Sequence, residues 1–160
     1  MTRHHFALLT LSVVAMLPAG APMAAAQENT KEKDAVLTAL DERVSQFLEG
    51  VSSGQAQSAF QELLSGSQLL KQTDAVKDLV ARTNDLETKY GKYRAFEQVS
   101  AKRVGGDLVL MRYLYKCENF PVVWHFTFYH APSSVESSTT NGAWRVVAVR
   151  FDANLETLQQ

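Results

Sequence analysis

The segment that most restricts what this chain can fold into is Pro121–His130, PVVWHFTFYH. In it Val122, Trp124, Phe126 and Phe128 alternate with Val123, His125, Thr127 and Tyr129. A period of two over eight residues, rich in aromatic and β-branched types, predicts a strand with one fully apolar face. Such a face must be covered, and the N-terminal half supplies the cover. Leu37, Leu40, Val44, Phe47, Leu48 and Val51 recur at spacings of three and four, which predicts an amphipathic helix over Asp34–Val51. Ser52-Ser53-Gly54 stops it, and a second helix follows over Gln55–Ser65 with Ala56, Ala59, Phe60, Leu63 and Leu64 inward. A third spans Asp74–Tyr90, with Thr73 as N-cap, acidic Asp74 in the first turn and Gly91 at its end.

Beyond Gly91 the helical period gives way to strands. The first, from Lys92 to Val104, is the most polar and is expected at a sheet edge. Gly105-Gly106-Asp107 marks a tight hairpin, because glycine supplies the positive φ such turns require. Leu108–Cys117 is the second strand, Glu118–Pro121 a turn, and Ala143–Asp152 a fourth strand after the Ser/Thr-rich loop Ala131–Asn141. The tail from Ala153 to Gln160 reads as a short helical turn or a frayed end. The whole predicts an α+β fold: three N-terminal helices packed on a curved, four-stranded antiparallel sheet whose strand order follows the chain.

The first 26 residues read as a secretory signal. Arg3, with His4 and His5, gives a basic start; Ala7–Leu17 is an uncharged run of eleven residues; Pro18 and Gly20 break it; Ala24-Ala25-Ala26 offers a cleavage site. Eleven residues fall short of the ~20 needed to span a bilayer. The chain is therefore expected to be exported, periplasmic or secreted, with no membrane attachment after cleavage. Residues 27–33, polar and charged, are expected to form a disordered lead-in.

Cleavage removes one of 16 basic residues and none of 17 acidic ones, leaving a net charge near −2. That balance carries no footprint for nucleic acid or an anionic membrane. Cys117 is the single cysteine, so the domain is expected to stand on packing without an internal disulfide. Its bland role is that of a small half-buried strand residue. His125 and His130 lie five apart on one strand and face opposite ways, so no metal site is expected, and no cofactor.

Several residues together resemble the nuclear transport factor 2-like superfamily, the cystatin-like α+β cone. In the closing segment Gly142–Asp152, a turn glycine precedes Trp144, then aliphatic residues and Phe151. Tyr90-Gly91-Lys92-Tyr93, Phe96-Glu97, Tyr115, Pro121, Trp124, Phe126, Phe128 and Tyr129 are similar to exported bacterial members of that superfamily. The resemblance runs from Asp34 to Asp152. It implies a cone-like pocket between helices and sheet, in a superfamily of small-molecule isomerases, dehydratases, polyketide cyclases and non-catalytic pocket domains. Its enzymes place an Asp–His pair, or a Tyr with a carboxylic acid, in that pocket. This chain departs from the pattern: its helices carry no histidine, and Asp41, Glu42, Glu49, Asp78 and Asp85 fall mostly on polar faces.

The candidate pocket residues are Glu97, Arg112, Tyr113, Tyr115, Trp124, Phe126, Phe128, His130 and Arg150. A guanidinium on an apolar strand suits a carboxylate ligand in a cleft, although Arg112 and Arg150 have the alternatives of reaching the sheet edge or meeting Glu97. Tyr113 and Tyr115 share a face and can line an apolar pocket with polar tips, or serve as half-buried packing. His130 sits where it can border the pocket mouth. The expected function is non-catalytic binding of a small apolar or anionic ligand, or of a protein partner. The alternatives are a lyase or isomerase pairing Tyr113 or Tyr115 with Glu97 or His130, and an envelope-structural component without a pocket. Because the fourth strand reads as apolar on both faces, a homodimer is expected through its outer side, with Val147, Val149 and Tyr129 as interface candidates.

Overall fold

The structure, a computed structural model, describes residues 23–131 and 144–159. Residues 1–22 of the expected 26-residue signal segment and the Ser/Thr-rich loop beyond Ala131 lie outside them. The chain divides between Asp34 and Ala35. Of the first unit only the helical backbone 23–34 is described; the strands and the helices that pack on them belong to the second.

Helix α1 is Met23–Ser52, so residues 27–33 are helical rather than a disordered lead-in. Its apolar stripe forms as the spacing predicts: Leu40, Val44, Phe47, Leu48 and Val51 are all buried. Helix α2 (Ala56–Leu63) buries Ala56, Ala59, Phe60 and Leu63. A Cβ added at Gly50 would stand 2.9 Å from the Ala59 Cβ, so the approach of α1 to α2 depends on that glycine.

The third helix differs from expectation. A 3₁₀ turn, η1 (Gln68–Lys71), precedes α3 (Thr73–Asn84), and α4 (Leu86–Tyr90) is separate. The break falls at Asp85, with φ −81° and ψ −4°, backbone in the sparsely allowed bridge region that ends a helical ladder. Thr73 is inside α3 rather than capping it; the side-chain cap instead belongs to Ser67, whose Oγ accepts from the Leu69 N–H at 3.1 Å. Gly91 closes α4 at φ 88°, and a Cβ there would meet Glu118 and Asn119 at 3.0 Å.

Four strands follow: β1 (Tyr93–Val104), β2 (Leu108–Cys117), β3 (Val122–His130) and β4 (Trp144–Asp152). They form one antiparallel sheet in chain order, with β1 and β4 at its edges. The fold is α+β, with four described α-helices rather than three. Gly105, at φ 65°, makes the β1–β2 turn.

Three irregularities decide which side chains face the helices, the first at the start of β1, where Tyr93 pairs with Cys117 and Ala95 with Lys116, which leaves Arg94 over. In β4, Val146 pairs with Phe128 and Ala148 with Thr127, which leaves Val147 without a partner. In β1, Gln98 pairs with Tyr113 and Ser100 with Arg112, which leaves Val99 over. An extra residue resets the two-residue alternation. Trp144, Val146, Val149 and Phe151 consequently share the face of Phe128, Phe126 and Trp124, whereas Arg145, Ala148, Arg150 and Asp152 share the other. The bulged valines Val147 and Val99 are 43% and 41% exposed. The fourth strand is thus not apolar on both faces, which was the reason to expect a homodimer there. Val149 turns toward the helices, Val147 sits at the bulge and Tyr129 lies on the outer face, so the three make no common patch.

The core is centred on Phe47. Its ring lies 4.8 Å from Phe60, 5.3 Å from Trp124 and 5.7 Å from Phe126, edge-to-face arrangements that aromatic quadrupoles favour. On the outer face, the C-terminal turn η2 (Leu155–Gln159) packs against β3. Asp152 and Asn154 launch it, each accepting a backbone N–H two residues on, at 2.9 and 3.1 Å.

Candidate functional site

The sheet splits the residues expected to form one pocket. Tyr113, Tyr115, Trp124, Phe126, Phe128 and His130 lie on the helix side; Glu97, Arg112 and Arg150 lie on the outer side. Trp124, Phe126 and Phe128 are fully packed core rather than pocket wall. Glu97 meets the Lys116 Nζ at 2.8 Å on the exposed surface. Arg112 and Arg150 flank His125 in a row across three strands, where Asp152 stands 3.5 Å from the His125 Nε2 and 3.9 Å from Arg150. Burial, with Arg150 and Arg112 adding to it against Asp152, holds the His125 pKa below its ordinary value.

Tyr113 finds a carboxylate, though not one of those expected. Its hydroxyl donates to Asp41 Oδ1 at 2.5 Å, while the Gln98 amide donates to the same carboxylate at 2.8 Å and to the hydroxyl at 3.1 Å. Asp41 therefore turns toward the sheet and not to a polar face. Burial, reinforced by Asp41, pushes the Tyr113 pKa well up. A phenol whose O–H already donates to a carboxylate is fixed in place, with little left to offer a substrate. Tyr115 is also pushed up, mainly by burial, and packs on Tyr93 at 4.8 Å. It borders a cavity of only about 80 Å³, together with Cys117.

The larger cleft lies elsewhere and is built on Arg43, a residue that sequence reasoning did not single out. Arg43 is three residues after Leu40 and four before Phe47, so it rides the flank of the α1 stripe and is drawn into the fold. Its guanidinium donates to the Trp144 carbonyl at 3.0 Å and to the Leu63 carbonyl at the end of α2. The cation also lies over the Phe128 ring, 5.8 Å from its centroid. Burial lowers the Arg43 pKa, with Glu62 opposing; a guanidinium keeps its charge nonetheless.

Beside it opens a cleft of about 480 Å³, bordered by Arg43, Phe47, Glu62, Ser65, Trp144 and Arg145. The bulge in β4 aids its construction by setting Trp144 on the helix side while Arg145 starts on the other. Around the Trp144 ring stand the Arg103 guanidinium at 5.3 Å and the His130 ring at 5.1 Å. Asp107 approaches His130 Nδ1 at 3.6 Å. The Arg103 Nε is buried without a hydrogen-bond partner among the described residues, which costs free energy unless something supplies an acceptor. None of the expected pocket residues lines this cleft; His130 and Phe128 approach it through Trp144 and Arg43.

One guanidinium, Arg103, and the His130 imidazole thus flank the indole, while Arg43 and Arg145 border the cleft beside it, against the carboxylates of Glu62 and Asp107. Such a surface can pair with an anion through forked N–H donors and stack an apolar body on the indole. Among the described residues no cluster of His, Cys, Asp and Glu has the arrangement of a metal site. None of their helices is long and apolar enough to cross a membrane. No family model, curated protein or solved structure matches the chain.

Proposed function

We propose that this chain is a non-catalytic binding domain of the nuclear transport factor 2-like type, exported from the cell, which holds a small, partly apolar anion. The ligand lies in the cleft of Arg43, Trp144 and Arg145, between the helices and a cone-like sheet. The observation that carries this reading is a cleft of about 480 Å³ bordered by Arg43 and Arg145 beside Trp144, whose ring is flanked by Arg103 and His130. Small-molecule sites are mostly apolar concavities with a few placed polar groups, and they begin near ~300 Å³. That size favours a binding domain over a purely structural component.

The reading as a lyase or isomerase has less support. It needs Tyr113 or Tyr115 within reach of Glu97 or His130, yet Glu97 lies across the sheet and Tyr113 is engaged by Asp41 and Gln98.

Trp144 provides the test. Titration with a panel of aryl and alkyl carboxylates, followed by tryptophan fluorescence, should give saturable binding. Arg145→Glu should weaken it about tenfold or more, equivalent to one good charged contact. Native mass spectrometry of the protein from its own host should show an acidic small molecule retained. Absence of any carboxylate response at millimolar concentration, together with a clean apo mass, would overturn the proposal.

A further inference from the structure

The edge of the sheet formed by β4 is guarded along one half and open along the other. The Trp144 carbonyl accepts from Arg43 and the Val146 carbonyl from the Ser67 hydroxyl, at 3.0 and 2.5 Å. Both carbonyls therefore point away from β3. In an antiparallel ladder, residues alternate between those bonded to the neighbouring strand and those whose N–H and C=O face outward. Arg145 is then bonded to Tyr129, and past the bulge Ala148 and Arg150 are bonded to Thr127 and His125. Val149 and Phe151 are left with outward-facing backbone groups. Among the described residues, no hydrogen bond outside the sheet engages either of them.

Next to this open half lies a groove of about 470 Å³ between β4 and the helical layer. Leu69, Val76 and Leu79 border it on one side and Val149 on the other. Arg82 and Arg150 also border it, with the carboxylate of Asp78 beside them and that of Asp152 3.9 Å from Arg150. Arg82 stands over the Phe151 ring, 5.0 Å from its centroid. An unpaired edge beside an apolar groove is what an added strand requires: the backbone supplies the ladder, and alternate side chains fill the groove.

We propose that the Val149–Phe151 edge docks an extended peptide segment of another protein as a fifth strand. Alternate apolar side chains of that segment enter the groove, and an acidic residue meets Arg82. The same cation argues against a second copy of this chain in that place. Two β4 edges joined around Val149 would bring two Arg82 cations to one seam, and like charges across a seam are disfavoured.

A phage-displayed library of random octapeptides, selected on the folded full chain, tests this. The enriched sequences should alternate apolar residues and carry at least one Asp or Glu. A synthetic peptide from the enriched set should lose about tenfold or more in affinity when its alternate in-register amides are N-methylated, and little when the intervening amides are. This comparison leaves the protein unaltered, so it does not depend on a variant folding. On binding, the amides of Val149 and Phe151 should become protected from hydrogen exchange, while those of Ala148 and Arg150 stay slow throughout. No enrichment, equal binding of both methylated forms, or protection elsewhere would overturn the proposal. So would protection of Val149 that rises with protein concentration in the absence of peptide, which would identify a second copy as the occupant.

Discussion

The two faces of the sheet are written in the same strands but built to opposite rules. The helix face is a continuous aromatic layer, in which Trp124, Phe126, Phe128 and Tyr113 are each at most 1% exposed. The outer face alternates half-buried Leu110, Leu114 and Thr127 with Arg112, His125 and Arg150, and Tyr129 is 39% exposed. Within β3 the two sets are one residue apart. The difference teaches that identity as "apolar strand" says little until the register against neighbouring strands is known. Each bulge changes that register once.

The largest break in the comparison is expected from adjacent residues of β3. Phe126→Ala removes a ring that lies within 6 Å of Phe47, Tyr113 and Trp124, and should cost about 3–5 kcal/mol. Thr127→Ala, on the outer face, should stay within about 0.5 kcal/mol. Urea denaturation of both variants measures the contrast.

A smaller effect sharpens the parity of β4 past its bulge. Val149→Asp places a carboxylate against the helical layer and should cost about 1–3 kcal/mol, whereas Ala148→Asp should be tolerated. An inversion of that order in thermal melts would mean that the bulge is not at Val147.

Smaller again is a dependence on pH confined to the outer face. The His125 pKa is lowered on folding from its ordinary 6.5, so below pH 6.5 the unfolded chain binds a proton that the folded chain resists. Stability then falls as pH falls through this range. His125→Gln should remove that slope, seen as melting curves of variant and wild type that diverge between pH 7 and pH 5. Parallel curves would mean that His125 titrates as freely as in solvent.

The smallest effect is expected from deleting Val147. Its neighbours then read Trp-Arg-Val-Ala-Val-Arg-Phe, a regular alternation in which every observed pair with β3 is kept. The fold should survive with a change below about 1 kcal/mol, checked by the same denaturation.

Much of this fold was legible in the sequence. The stripe from Leu40 to Val51 names the buried face of α1, and β2 spans Leu108–Cys117, the bounds expected between the glycine turn and Glu118–Pro121. What escaped was local backbone geometry. Val99 and Val147 are ordinary strand residues by composition, and nothing in a valine announces that it lacks a partner. The β4 sequence does, however, show one residue too many for a single clean alternation. The site escaped for a different reason: it is anchored on a helix, at polar positions beside the apolar stripe. Asp41 is four residues after Leu37, and Arg43 three after Leu40, so helical spacing places both beside the sheet. Their polarity hid a position that their numbering gave away.

The two donors that guard the β4 edge have a consequence for the order of folding. The sheet is a meander whose hairpins close over short separations, and such contacts form early. Arg43 reaches the Trp144 carbonyl across 101 residues and Ser67 reaches the Val146 carbonyl across 79, contacts that must wait for the last strand. They act as latches fastened late, which hold the finished structure closed without helping to start it. Ser67→Ala should accordingly speed unfolding and leave the folding rate nearly unchanged, a φ-value near zero. A slowed folding limb would place the latch in the nucleus instead.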